Sequence, residues 1–163
     1  MNTAEKVDGQ KQYLTFQLAE QEYALDILQV KEIIEFGSLT KVPQTPPSIL
    51  GVINLRGNVV PVVNLGLKFG LTPSPITGRT CIIVTEANLA GQRVVTGILA
   101  DSVTKVLELS PEETLPAPAF GTRVCVDYLR GIGQSEGKLV LLLDINKILT
   151  DAELQASMAM TEL

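Results

Sequence analysis

Short runs of branched aliphatic residues, separated by Gly, Pro and polar residues, make up most of this 163-residue chain. Runs rich in Val and Ile, with partial alternation of apolar and polar positions, are typical of half-buried strands. The segment 23–36 also has apolar residues at helical spacing, but its β-branched content and the turn signal after it favour strand. The other predicted strands cover 13–18, 80–85, 94–100, 103–109 and 139–143. The pattern therefore predicts a mainly β protein.

The clearest local pattern is the stretch 51–65, GVINLRGNVVPVVNL, which contains two apolar runs of strand length. It predicts a β-hairpin whose turn uses Gly57 and Asn58, residue types that tolerate positive φ. Pro61 lacks an N–H, so its strand is predicted to lie at a sheet edge or to be bulged at that position. A last hairpin is predicted to turn near Gly137 and Lys138.

The two halves of the chain resemble each other. Three segments match at nearly one offset: VKEIIE at 30–35 with VTKVLE at 103–108 (103 minus 30, or 73), Val42-Pro43 with Leu115-Pro116 at the same offset, and LRG at 55–57 with 129–131 at 74. A repeat of this length, with about five short strands, has the size of one small barrel. The repeat predicts two similar five-stranded lobes with a groove between them.

The predicted organisation begins with a polar N-terminal leader at 1–12. The two lobes are expected at about 13–72 and 79–149, joined by the Pro- and Gly-containing segment 70–78, and exchange of terminal strands between them stays open. Thr150 and Glu153 fit a capping box, which predicts a short helix in the tail 150–163.

Composition reduces the number of functional classes that fit this chain. The formal net charge is -5, and neither half of the chain is basic, which argues against nucleic acid and anionic membrane as partners. The polar start predicts no signal peptide, and no apolar run approaches the roughly 18 residues that span a bilayer. We therefore expect a cytoplasmic protein with no direct membrane insertion.

Catalytic chemistry has few candidates in this sequence. The chain contains no His, the commonest general base and a frequent metal ligand. Cys81 and Cys125 are isolated, and we expect both to be reduced, packed thiols. The adjacent acids Glu112 and Glu113 are better explained as a solvated acidic patch than as a general acid and base. With no phosphate-binding loop either, we expect no enzyme activity, no cofactor and no metal.

Several motifs, in order along the chain, together resemble the CheW family of coupling proteins. They are QYLTFQLAEQEYALDILQVKEIIEF, VP, ILGVINLRGNVVPVVNL, GILADSVTKVL and YLRGIGQSEGKLVLLLDINKIL, covering about 12–149. Each piece alone is a weak apolar pattern. The combination of NLRG, a Val-Val-Pro-Val strand and an upstream Val-x-Glu-Ile-Ile segment is specific.

The resemblance implies two five-stranded barrels of the SH3-like type. It also implies a non-catalytic adaptor that binds two partners: the regulatory domain of a CheA-type histidine kinase and the cytoplasmic tip of methyl-accepting chemotaxis receptors. Such a protein is expected at the inner face of the membrane, held there by receptor arrays.

The resemblance further implies a set of partner-binding residues at the matching positions: Val30, Glu32, Gly51, Arg56, Gly97, Val103 and Val106. Each has an alternative interpretation. The valines equally fit core positions, the glycines fit a purely backbone role, and the two charged residues fit either solvated groups or a cross-strand pair.

Asn64 departs from the family pattern, which usually has Asp there, whereas the corresponding turn of the second half has Asp144. This leaves open a paralogous coupling protein of another chemosensory pathway, such as one for pili or gliding. The remaining alternatives are a fragment of a larger chemotaxis protein and, from another functional class, an OB-like barrel that binds nucleic acid.

Overall fold

The computed structural model describes residues 10–89, 91–116 and 128–148. Eleven strands lie in these ranges: β1 Lys11–Leu18, β2 Gln21–Asp26, β3 Val30–Glu35, β4 Ile49–Leu55, β5 Asn58–Val63, β6 Cys81–Leu89, β7 Gln92–Ala100, β8 Ser102–Leu109, β9 Thr114–Leu115, β10 Leu129–Ser135 and β11 Lys138–Leu143. Two short helices follow hairpins, α1 Leu65–Lys68 and α2 Ile145–Ile148. The mainly β prediction is confirmed. The tail helix predicted at 150–163 and Cys125 lie outside the described residues.

The strands form two sheets, which we call the first and the second lobe. The first lobe has five strands in the order β3-β6-β7-β5-β4, and the second has six in the order β8-β1-β2-β11-β10-β9. Neighbouring strands are antiparallel, except for one parallel pair in each lobe, β5 with β7 and β11 with β2. Two lobes built on one plan are therefore present.

The sheets contain an exchange of strands between the two halves of the chain, which the sequence left open: β6–β7 lies in the first lobe and β1–β2 in the second. The hairpin β1–β2 comes first in the chain but lies in the second lobe, where Tyr23 pairs with Leu141. The segment 70–78 connects α1 to β6 within the first lobe, so it is not a linker between lobes. The physical reason is that a short hairpin with apolar residues on both faces can complete either sheet, and local sequence does not decide which.

The strand pairing also corrects the alignment of the repeat. The match of Val30 with Val103 holds, because β3 and β8 occupy the same edge of their lobes. The match of 55–57 with 129–131 is wrong. Gly51 and Gly131 both follow a register shift and face the corresponding residues of β5 and β11, so the hairpins align at an offset of 80 (131 minus 51). Thr40, which bridges to Val52, occupies the place that Leu115 has in the second lobe.

The buried apolar residues form three hydrophobic clusters. The largest lies between the two sheets and includes Phe16 and Tyr23 from the second lobe and Ile83 and Ile98 from the first. Each lobe has its own smaller cluster as well. Along β6, Ile82 joins the cluster within the first lobe while Ile83 joins the cluster between the lobes, as the two-residue period of a strand requires. The central strands are therefore buried on both faces, which explains their nearly continuous apolar sequence.

The space predicted to be a groove between the lobes is largely filled by this shared cluster. A cavity of about 220 Å³ lies at its margin, and Leu18 of the second lobe and Phe36 and Leu39 of the first are among the residues that line it. Among the described residues, no helix is long and apolar enough to cross a membrane.

Two local predictions need correction. Pro61 was expected at a sheet edge or a bulge, but β5 lies inside the first lobe, and the register shift falls on β4 between Ile49 and Gly51. Pairing of β5 with β7 begins only at Val62.

The segment 23–36 is strand at both ends, as predicted, but a 3₁₀ turn at Ile27–Gln29 separates β2 from β3. This turn carries the chain from one lobe to the other.

Candidate functional site

Glu32 and Arg56 form an ion pair, which we call the first-lobe ion pair. Arg56 Nη1 lies 2.6 Å from Glu32 Oε2, and Arg56 Nη2 lies 2.9 Å from Glu32 Oε1. This bidentate geometry is the strong form of a pair between guanidinium and carboxylate. The pair connects the turn of the β4–β5 hairpin to the edge strand β3.

The hairpin turn presents Arg56 to solvent. Arg56 and Gly57 have φ of 53° and 86°, which makes them the two central residues of the turn, in place of the predicted Gly57 and Asn58. Two positive φ values are typical of a type I′ turn, whose twist matches that of the flanking strands. The N–H of Gly57 donates to Asn54 Oδ1 at 2.8 Å. The Arg56 side chain is 72% exposed although it is paired.

Electrostatics of the pair follow from this geometry. The hydrogen bonds from Arg56 lower the pKa of Glu32, and burial opposes that effect only partly. The same hydrogen bonds raise the pKa of Arg56. Both groups are therefore charged at neutral pH, with the guanidinium directed outward at the tip of the first lobe.

The predicted valines divide into two kinds. Val30 and Val103 are partly buried and pack against the cluster between the lobes, one from each edge strand. Val106 is 50% exposed, and its counterpart on β3, Ile33, is 44% exposed. Val106 and Ile33 are thus available for contact with a partner. Val30 and Val103 are less exposed and contribute to the packing between the lobes.

The two predicted glycines are buried, and their local geometry explains the residue type. A Cβ on Gly51 would collide with the backbone carbonyl of Thr40, which exchanges hydrogen bonds of 2.8 and 2.9 Å with Val52. A Cβ on Gly97 would lie 2.7 Å from Ile82 Cγ2 inside the first lobe. Direct partner contact through either glycine needs a rearrangement, and the backbone interpretation fits both.

A second ion pair, which sequence reasoning missed, lies at the equivalent place in the second lobe. Glu136 and Gly137 have φ of 52° and 78° and form the turn of the β10–β11 hairpin. Lys105 Nζ lies 3.7 Å from Glu136 Oε1 and anchors this turn to the edge strand β8, so we call it the second-lobe ion pair. When the two hairpins are aligned at an offset of 80, Glu136 corresponds to Arg56. This alignment is the sequence signal that identifies the second-lobe ion pair.

Other groups with possible chemistry have structural roles. Glu113 accepts a hydrogen bond from the backbone N–H of Ser110 at 2.8 Å, as part of a capping box, and both Glu112 and Glu113 are exposed. Burial raises the pKa of the Cys81 thiol, which makes it a poor nucleophile. No group of three or more potential metal ligands occurs within the described ranges.

Asn64 and Asp144 have the same structural role. Asn64 Oδ1 accepts from the N–H of Leu67 at the start of α1, and Asp144 Oδ1 accepts from the N–H of Asn146 at the start of α2. Both residue types are good helix N-caps. The substitution of Asp by Asn at 64 therefore preserves the local fold.

The sequence matches the family described as CheW-like domain over residues 12–153. It is 38% identical over 155 residues to the Chemotaxis protein CheW of Klebsiella aerogenes, an alignment that covers 93% of this chain and 91% of the relative. It is 30% identical over 149 residues to the Probable chemotaxis protein CheW of Rhizobium etli, with 91% and 94% covered. Among solved structures, the scaffolding protein TtCheW from Thermoanaerobacter tengcongensis superposes with a TM-score of 0.80 at 29% identity, covering 92% of this chain and 94% of that one.

Proposed function

This chain belongs to the CheW-like family, and on that premise we propose that it is an adaptor that couples methyl-accepting chemotaxis receptors to a CheA-type histidine kinase. The broader assignment, a chemotaxis scaffold of the CheW type that is not an enzyme, follows from the family itself. The observation that carries the proposal is similarity along nearly the whole chain to proteins named Chemotaxis protein CheW.

The fold is suited to holding two partners at fixed positions. Because the largest hydrophobic cluster is shared between the lobes, a partner bound to one lobe keeps a defined geometry relative to a partner bound to the other. Partner surfaces of this kind combine an apolar centre with a polar rim. In this proposal, exposed aliphatics such as Ile33 and Val106 supply apolar contact, and the first-lobe ion pair supplies polar contact. The protein acts in the cytoplasm, beside the receptor tips.

The experiment is a binding assay with the kinase regulatory domain and a receptor signalling fragment, using wild-type protein and Arg56→Ala. We expect the variant to melt at nearly the wild-type temperature, because Arg56 is exposed, and to lose about tenfold or more in affinity for one partner, as an interface anchor does. Arg93→Ala is the matched control, since Arg93 also pairs with a carboxylate in the first lobe, Glu86, at 2.7 Å.

Two results would count against the proposal. Wild-type protein that binds neither partner would refute the coupling role. A large fall in the melting temperature of Arg56→Ala would instead refute the assignment of Arg56 as a contact residue, because folding would then explain its effect.

A second candidate is a coupling protein of another chemosensory pathway. It rests on one relative with a different name, Protein FrzA of Myxococcus xanthus, which is 28% identical over 149 residues. Binding assays with the kinases and receptors of each pathway in the same organism distinguish the two candidates. The alternative of a nucleic-acid-binding barrel has no support from the family.

A further inference from the structure

The chain passes between the two lobes at two places within the described ranges. The 3₁₀ turn Ile27–Gln29 leads from β2 in the second lobe to β3 in the first, and Asp101 leads from β7 in the first lobe back to β8 in the second. The second crossing is one residue long, because β7 ends at Ala100 and β8 begins at Ser102. A change in the angle between the lobes therefore has to be taken up at or next to Asp101.

Asp101 forms hydrogen bonds to both lobes. Its backbone N–H donates to the carbonyl oxygen of Gln17 in β1 at 2.9 Å. Its Oδ2 accepts from the backbone N–H of Ala19, in the β1–β2 turn of the second lobe, at 2.9 Å. The same oxygen accepts from Ser74 Oγ, in the segment 70–78 of the first lobe, at 2.8 Å. We call the three residues Ala19, Ser74 and Asp101 the interlobe clasp.

The partners of the Asp101 side chain are distant in sequence. Ala19 and Ser74 lie 82 and 27 residues away from it. In contrast, Asp26 and Asp144 each accept a hydrogen bond from the N–H two residues further along the chain, which is the ordinary local use of an aspartate. Hydrogen bonds to a carboxylate are also stronger than those between neutral groups. The clasp therefore holds together segments that no local turn brings together.

The interlobe clasp lies where apolar packing between the lobes is incomplete. Its three residues all line the cavity of about 220 Å³ at the margin of the shared cluster. A cavity leaves the side chains around it without contacts on one side, so packing alone holds the lobes less firmly at this margin. Asp101 is partly buried, and a hydrogen bond in such surroundings is stronger than one in water.

We propose that Asp101 is a positioning residue: through the interlobe clasp it sets the angle between the lobes, while each lobe keeps its fold without it. The consequence for an adaptor rests on the proposed function and deepens it. Two partners bound to different lobes stay at fixed relative positions only while the clasp is closed, because a broken clasp lets the lobes move about their two crossings.

The test measures the distance between the lobes in the protein without partners. Spin labels are attached to Asn58→Cys and Lys138→Cys, which replace the exposed first residues of the equivalent strands β5 and β11. Cys81→Ala and Cys125→Ala remove the native thiols from this background. Pulsed electron paramagnetic resonance then gives the distribution of distances between the two labels.

The clasp is broken in two variants. Asp101→Ala removes both side-chain hydrogen bonds, and Ser74→Ala removes only the one to the first lobe. Ser110→Ala is the matched control, because Ser110 Oγ also donates to a carboxylate, that of Glu113 at 3.2 Å, but within the second lobe.

We expect Asp101→Ala and Ser74→Ala to broaden and shift the distance distribution, and Ser110→Ala to leave it as in the wild type. Both clasp variants should unfold in a single transition, lowered by no more than about 10 °C, because each loses only one or two hydrogen bonds. They should bind the kinase regulatory domain and a receptor signalling fragment separately with wild-type affinity, but form less of the complex that contains both.

An unchanged distance distribution in Ser74→Ala overturns the inference, because the bond between the lobes then does not set their angle. An equal change in Ser110→Ala overturns it as well, since the loss of any such hydroxyl would then have this effect. A fall in affinity for either partner alone would make the clasp part of a binding surface and refute its positioning role. Wild-type protein that binds neither partner refutes the proposed adaptor function, whereas the distance measurement still decides the role of Asp101.

Discussion

The first and second lobes share a strand plan, yet they differ sharply in which features they keep. Both place a glycine after the register shift, Gly51 and Gly131, and both turn the equivalent hairpins β4–β5 and β10–β11 with a glycine in the second position. The charges around those hairpins are inverted, with Arg56 in one lobe and Glu136 in the other. Backbone geometry is what the fold requires of both lobes, whereas the exposed charges at the hairpin turns are free to differ.

The largest expected effect tests the shared backbone requirement. A Cβ on Gly51 would collide with the carbonyl of Thr40, whereas one on Gly131 would lie 2.9 Å from the carbonyl of Leu115. We expect Gly51→Ala to lower the free energy of unfolding by about 3 kcal/mol and Gly131→Ala by about 1 to 2 kcal/mol. Urea titration measures both. Equal and negligible losses in the free energy of unfolding would show that the two glycines are not needed for the close approach of the Thr40 and Leu115 carbonyls.

The next prediction concerns a hairpin turn in which the described residues of the two lobes differ in backbone strain. Glu20, in the β1–β2 turn of the second lobe, has φ of 68°, whereas the equivalent β6–β7 turn of the first lobe has Gly91 at 79°. Because this region is unfavourable for a residue with a Cβ, Glu20→Gly should stabilise the protein by about 1 kcal/mol. Thermal melting checks the gain. Glu22→Gly, on the neighbouring strand β2, is the control and should destabilise, and a loss of stability in Glu20→Gly itself would contradict the comparison.

The smallest expected effect is a pH dependence that separates the two ion pairs. The pKa of Glu32 is lowered by the hydrogen bonds from Arg56, so the stabilisation is present above the ordinary carboxyl pKa of about 4.3 and is lost as pH falls through the lower value in the folded state. Melting curves from about pH 6 to pH 3 should therefore show a steeper fall for wild type than for Arg56→Met. Lys105→Met should change the curve less, because its pair is longer and more exposed. Superimposable curves for wild type and Arg56→Met would contradict this difference.

Much of the site could be foreseen from sequence because it depends on local pattern. The hairpin at 51–65 was visible from two apolar runs around a glycine, and Arg56 and Glu32 were singled out through the family motifs. The pairing of these two side chains stayed one alternative among several, because their strands are separated by 13 residues of loop, 36–48, whose path local sequence does not define. The role of the seven predicted contact residues in binding remains a prediction.

The second-lobe ion pair was missed for a related reason. The sequence repeat was aligned through the similar letters LRG at 55–57 and 129–131, but the strands align through the register shift that precedes Gly51 and Gly131. Side-chain identity suggested one alignment, and hydrogen-bond register required another. Only the alignment by hydrogen-bond register makes Glu136 the equivalent of Arg56, and it shows that the two hairpin turns carry opposite charges.

The sequence by itself determined the mainly β class, most of the strands and the existence of a repeat, because these depend on the spacing of apolar residues and on turn residues that lie close together in the chain, and its motifs indicated the family. The tertiary structure alone decided that the first hairpin, β1–β2, joins the second lobe, that one shared hydrophobic cluster fills the space between the sheets, and which charges meet at the tips. A hairpin that is apolar on both faces fits either sheet, so its place is set by contacts between residues far apart in sequence, which no local pattern encodes.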